Sequence, residues 1–176
     1  MTKDMTRRLS RRAVLGGIAL AAGGIAPAGA DGLPPPTGAV MLTVTGRIAH
    51  TTAPGRAQFD RAGLEALGLH ELRTSTSWTD GVSRFEGPLL RDVLDRVGAG
   101  GTKLVARAIN DYSVVIPIED CRKYAVLLAL KRDGRDLERR DKGPIWIVYP
   151  RDAHPELRSE RINARWIWQL DRLEVQ

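Results

Sequence analysis

The apolar residues of this chain come in short, strand-length runs broken by turn signals. Only one stretch keeps a helical period beyond a turn or two. It follows Pro88, where Leu89, Leu90, Val93, Leu94 and Val97 recur at three- and four-residue spacing until Gly98 to Gly101 stop it. The runs Val40 to Thr45, Leu69 to Ser77, Lys103 to Ala108, Ser113 to Pro117, Ala125 to Lys131 and "IWIVYP" at 145–150 read as strands, with a last one at Leu173 to Val175. "INDY" at 109–112 reads as a turn, and Asp133-Gly134 as a hairpin. Asp60 caps a short helix reaching Leu67, Glu119 to Tyr124 makes one helical turn, and Asn163 to Gln169 reads as another short helix. Many strands with few, short helices predict an α+β fold with a mixed, barrel-like sheet.

Residues 1–30 read as an export signal. A basic stretch precedes a glycine-rich apolar run from Ala13 to Ala26, and Ala28-Gly29-Ala30 offers a small-x-small cleavage site. Ser10-Arg11-Arg12-Ala13-Val14-Leu15 resembles the twin-arginine motif, which predicts a periplasmic location. The apolar run is too short to leave a stable membrane span. Residues 31–39, "DGLPPPTGA", form a proline-rich leader that should not fold by itself, and residues 40–176 form one domain. The net charge of +6 is concentrated in the signal, where Lys3, Arg7, Arg8, Arg11 and Arg12 face only Asp4. The remainder is nearly balanced, which argues against nucleic acid as a partner.

Hard chemistry has little support. His50, His70 and His154 sit in no hydrolase or metal-ligand spacing, and there is no phosphate-cradling glycine loop. The single cysteine, Cys121, excludes an intrachain disulfide and reads as a small, partly buried thiol. No catalytic residue and no metal ligand is assigned. Three polar sets at the ends of apolar strands remain. The first is Thr74 to Trp78 in "RTSTSW", with Thr76, Ser77 and Trp78 as its site residues. The second is Asn110, Asp111 and Tyr112. The third is Arg140, Asp141 and Lys142, with Tyr149 and Arg151 closing the next strand. Rings that stack, amides and carboxylates that pair with a donor–acceptor edge, and bases for an anionic tail together suit a flat polar heterocycle.

The segments "FEGPLLRDVLDRVGA", "AINDYSVVIPIEDC", "RRDKGPIWIVYPRD" and "WIWQLDRLEV" resemble the sulfite-oxidase-type molybdopterin-binding domain family, in particular its small exported members. The resemblance runs over roughly residues 40 to 175 and implies a mixed α+β fold with a pterin cleft. Catalytic members bind molybdenum through a cysteine thiolate, a soft ligand that a hydroxyl does not readily replace. The corresponding stretch here is "RTSTSWTDG", where the position falls near Thr76 or Ser77. The resemblance therefore implies a non-catalytic protein whose ligand is a pterin, either a reduced pterin or molybdopterin, with molybdenum in doubt. It also implies a sensor role towards the periplasmic domain of a membrane signalling protein. Trp78 or Tyr112 would stack on the ring, Asn110 and Asp111 would pair with its amino-pyrimidine edge, and Thr76 and Ser77 would meet its oxygens. Arg140, Lys142 and Arg151 would hold the tail. The alternative is a molybdopterin-dependent oxidoreductase with an unusual metal ligand.

Overall fold

A computed structural model describes residues 32–176, so the export-signal reading of residues 1–30 lies outside the described residues. The fold is α+β, built on three sheets, and no closed barrel forms among the described residues. The largest sheet has five strands. Strand β1 (Leu42–Gly46) lies between β2 (Arg56–Phe59) and the C-terminal β11 (Leu170–Val175), and β5 (Lys103–Ala108) and β6 (Ser113–Pro117) continue the order. β1 and β11 run parallel with Val44 opposite Leu173, so the two ends of the domain are held in one ladder. Period-two burial explains the pairing, since Leu42, Val44, Leu170, Leu173 and Val175 all point into the core. At Gly46, φ is +87 and an added Cβ would collide with the Val175 carbonyl, so only glycine closes this corner.

The second sheet contains a hairpin absent from the sequence reading. β3 (His70–Thr76) turns directly into β4 (Thr79–Gly87), and Ser77 and Trp78 form its tip. Asp80-Gly81 looks like a turn, yet the two residues form a bulge within β4, with Gly81 at φ +65, between the Ser75–Val82 and Thr76–Thr79 pairs. The chain reverses three residues earlier, at Ser77-Trp78, where Thr76 and Thr79 pair and share a hydroxyl–hydroxyl bond of 2.8 Å. The hairpin β8 (Lys131–Arg132) and β9 (Arg135–Asp136) extends this sheet, with Asp133 and Gly134 both at positive φ as the Asp-Gly signal predicts. The third sheet pairs β7 (Leu127–Ala129) with β10 (Trp146–Val148), all six residues buried.

Helix α1 (Arg61–Glu65) starts at Asp60, as expected. Helix α2 (Leu90–Arg96) buries Leu90, Val93 and Leu94, the predicted apolar face. Helix α3 (Ile118–Lys123) occupies the predicted helical turn. The expected helix over Asn163 to Gln169 does not form. Helix α4 (Glu160–Asn163) ends where that helix was to begin, and residues 166–168 have no regular structure. The cause is tertiary: Ile167 O accepts from Ile147 N, Gln169 N donates to Lys142 O, and Ile109 N donates to Gln169 O. Those bonds spend on other segments the backbone groups that a helix would pair internally.

The leader docks on the domain. Leu33 N donates to Thr51 O, and the Asp60 carboxylate accepts from the backbone N–H groups of Thr37 and Gly38 as well as from Gly63 of α1. These bonds, Gly63 first, hold the Asp60 carboxyl below its ordinary 3.8 against the opposing effect of burial. A depressed carboxyl stabilises the fold above its unfolded value and loses that contribution as pH falls through the lower folded value. Asp60→Asn should therefore lower the urea midpoint at neutral pH, and the gap to the parent should narrow as the pH drops below 3.8. A gap equally wide in strong acid would contradict the charged cap.

Candidate ligand groove

The β3–β4 tip places Trp78 against the other three tryptophans. Its ring centroid lies 5.5 Å from that of Trp168, 5.7 Å from Trp166 and 6.4 Å from Trp146. Trp146 also meets Phe85 edge-on at 5.4 Å, and Trp166 stacks on Tyr149 at 6.2 Å. Edge-on and tilted packing of this kind adds about 0.5–1.5 kcal/mol per pair beyond simple burial. Trp146 and Trp166 are buried, whereas Trp78 keeps 36% of its surface open.

The open side of this cluster is a groove of about 470 Å³, lined from four segments. Trp78 comes from the hairpin tip, Ala108, Asn110 and Tyr112 from the β5–β6 turn, and Glu160, Asn163 and Ala164 from α4 and its end. Trp166, Ile167 and Trp168 come from the irregular segment before β11. The β5–β6 turn is an Asx turn, in which Asn110 Oδ1 accepts from Tyr112 N and Asp111 takes φ +66. Tyr112 is thereby left 55% exposed beside the groove. Asn163 Oδ1 and the Nε1 atoms of Trp146 and Trp166 are buried without a hydrogen-bond partner among the described residues.

Of the residues assigned from sequence, Trp78, Asn110 and Tyr112 meet in this groove. The others stand elsewhere. Thr76 is nearly buried; its Oγ1 accepts from Trp78 N at 3.0 Å and bonds Thr79, so it builds the tip. Ser77 Oγ accepts from Arg151 Nη1 at 2.7 Å, and Asp152 accepts from Ser75 N and Oγ, which ties the tip to the 151–152 loop. Asp111 pairs with Arg172 at 2.7 Å. Arg140 is almost fully exposed beside Glu138 and lines a separate cavity with Arg132 and Arg135. Lys142 pairs with Asp141 and lies 5.5 and 5.7 Å from the rings of Trp146 and Trp168.

Sequence reasoning missed Glu160, Asn163, Trp166 and Trp168 as groove residues. The "WIW" spacing was the available signal, since two indoles two positions apart share one side of a non-helical segment but not of a helix.

Beneath the groove, Asp120 of α3 accepts from Tyr149 OH at 3.0 Å and pairs with Arg165, which is itself buried. Cys121 sits beside this pair at 0% exposure and does not line the groove. Burial, reinforced by the Asp120 charge, pushes its thiol up to about 12.

A family model for the oxidoreductase molybdopterin binding domain matches residues 55–154, more than half of the chain. No curated protein matches it. Glu160, Asn163, Trp166 and Trp168 all lie beyond the matched residues.

The Cys121 environment has a direct check. A thiol-reactive disulfide reagent should leave the native protein unlabelled and modify one equivalent in denaturant. Rapid labelling of the native protein would contradict the buried, neutral thiol.

Proposed function

This chain belongs to the oxidoreductase molybdopterin-binding domain family. From that premise we propose that it is an exported protein that holds a pterin in the tryptophan groove, catalyses no reaction, and reports the ligand to a membrane signalling partner. The observation that carries the reading is the groove itself: exposed Trp78 and Tyr112 rings around a cavity sized for one small ligand, with amide and carboxylate groups on its lining. A bicyclic pterin offers a π-face for the rings and a hydrogen-bonding edge for the polar groups.

The residues fit the organic part of a molybdopterin better than its metal. A thiolate ligand would have to come from Cys121, the chain's one cysteine, and that thiol is buried and protonated away from the groove. Among the described residues, no group of three or more His, Cys, Asp or Glu is placed to hold a metal ion. The chain's own residues therefore support binding, orientation and exclusion of water from a ring, and no redox step is assigned to them.

Export rests on the paired arginines at 11 and 12. Replacing both with lysine should hold the protein in the cytoplasm; undiminished periplasmic protein would count against the twin-arginine route. The sensor role rests on the family resemblance and on the position of β6. This strand is an edge of the main sheet with Val115 exposed, and it begins directly after the groove residue Tyr112. Among the described residues no helix is long and apolar enough to cross a membrane. A membrane protein retained by the ligand-loaded chain and released without ligand supports that role; identical retention in both states removes it.

Ligand binding is tested by calorimetry with a reduced pterin. The parent should bind at near one-to-one stoichiometry. Tyr112→Ala, at a mostly exposed site, should cost about 1–3 kcal/mol of binding, the usual loss for one stacked ring. Absence of binding by the parent, or an unchanged affinity in the variant, would contradict the placement.

A further inference from the structure

The formal charge on the groove lining is a single carboxylate. Of the lining residues only Glu160 carries a carboxylate; its backbone carbonyl accepts from Ala164 N, but its side chain has no hydrogen-bond or ion-pair partner among the described residues. Four bases of the neighbouring segments have partners of their own: Arg151 donates to Ser77, and Arg165, Arg172 and Lys142 pair with Asp120, Asp111 and Asp141. Three residues along α4, on the same side of the helix, Asn163 carries an amide oxygen that is buried without a donor. From the β5–β6 turn, Asn110 has its Oδ1 occupied by Tyr112 N, which leaves its Nδ2 as the available group. The α4 side of the groove is thus rich in acceptors, and the turn side supplies a donor.

We infer that Glu160 is the specificity-determining residue of this groove, accepting hydrogen bonds from the donor edge of a 2-amino-4-oxo-pyrimidine ring. The inference rests on the pterin reading above and deepens it. That ring presents an exocyclic amino group and an adjacent ring N–H on one edge, in the side-by-side pattern a carboxylate accepts with both oxygens. The neighbouring ring carbonyl is an acceptor and suits Asn110 Nδ2. The amino edge thereby passes from Asn110 and Asp111, expected from sequence, to Glu160, because Asp111 is turned away onto Arg172. A ring with a 2-oxo group in place of the 2-amino group would bring a carbonyl oxygen against the carboxylate and take away one of its two donors. A site built to pair with N–H groups rejects an analogue that lacks them.

The test uses the full-length mature protein and two rings of the same shape, 6-hydroxymethylpterin and its 2-oxo counterpart, 6-hydroxymethyllumazine, titrated into the parent and into Glu160→Gln. Glu160 is exposed at the end of a four-residue helix, so the unfolding temperature of the variant should match that of the parent. The parent should favour the 2-amino ring by at least about tenfold, and Glu160→Gln should lose about tenfold for that ring and most of the preference, the scale of one charge-assisted pair. If the parent binds both rings equally, or Glu160→Gln keeps the parental ratio, Glu160 is not the selector while the pterin reading stands. If the parent binds neither ring, both fall.

Discussion

The packing of Trp78 against Trp146, Trp166 and Trp168 is the contact on which the rest of this structure depends. It joins a hairpin tip, a buried strand and an irregular C-terminal segment. The tip is bent to deliver the indole. Thr76 bonds Thr79 and Trp78 N, Ser77 takes Arg151, and Asp152 takes Ser75. Four hydroxyl residues in a row, which look like a site, act mainly as joinery for the one ring beside them.

The opposite side of the cluster is secured from beneath. Arg165 immediately precedes Trp166 and is anchored to Asp120, which also takes the Tyr149 hydroxyl. Removing one partner of a buried pair costs about 3–5 kcal/mol, because the remaining charge is stranded. Gln169 then ties the segment to two loops, accepting from Ile109 N and donating through Nε2 to the Arg139 and Asp141 carbonyls. Rings held in this way need little reordering when a planar ligand arrives, which limits the entropy cost of binding.

Much of the fold was legible, and the failures share a cause. Helix α2, the Asp133-Gly134 hairpin and the β5–β6 pair were marked by local period and turn chemistry, which suffice when an element is decided by its own residues. Strand β2 has no apolar run; it exists because β1 offers it an edge. Strand β4 was hidden by Asp80-Gly81, a local turn signal that the hairpin uses for a bulge beside its tip rather than for the tip itself. In the groove, Trp78, Asn110 and Tyr112 were legible as a ring, an amide and a second ring near strand ends. Asp111 was equally plausible by type, but the positive φ that the turn imposes sends it to Arg172. Trp166 and Trp168 were masked because "NARWIWQ" reads as a helix until the backbone bonds with Ile109, Lys142 and Ile147 are known, and Glu160 lay outside every polar set at a strand end.

A groove of indoles and amides, with its one cysteine buried out of reach, should hold an organic ring and no molybdenum. The most direct measurement is mass spectrometry, together with elemental analysis, of the small molecules released from native protein purified out of cells with intact pterin synthesis. A pterin in near-stoichiometric amount with molybdenum absent is the expected result. Molybdenum in near-stoichiometric amount, or protein that releases no pterin at all, would contradict it.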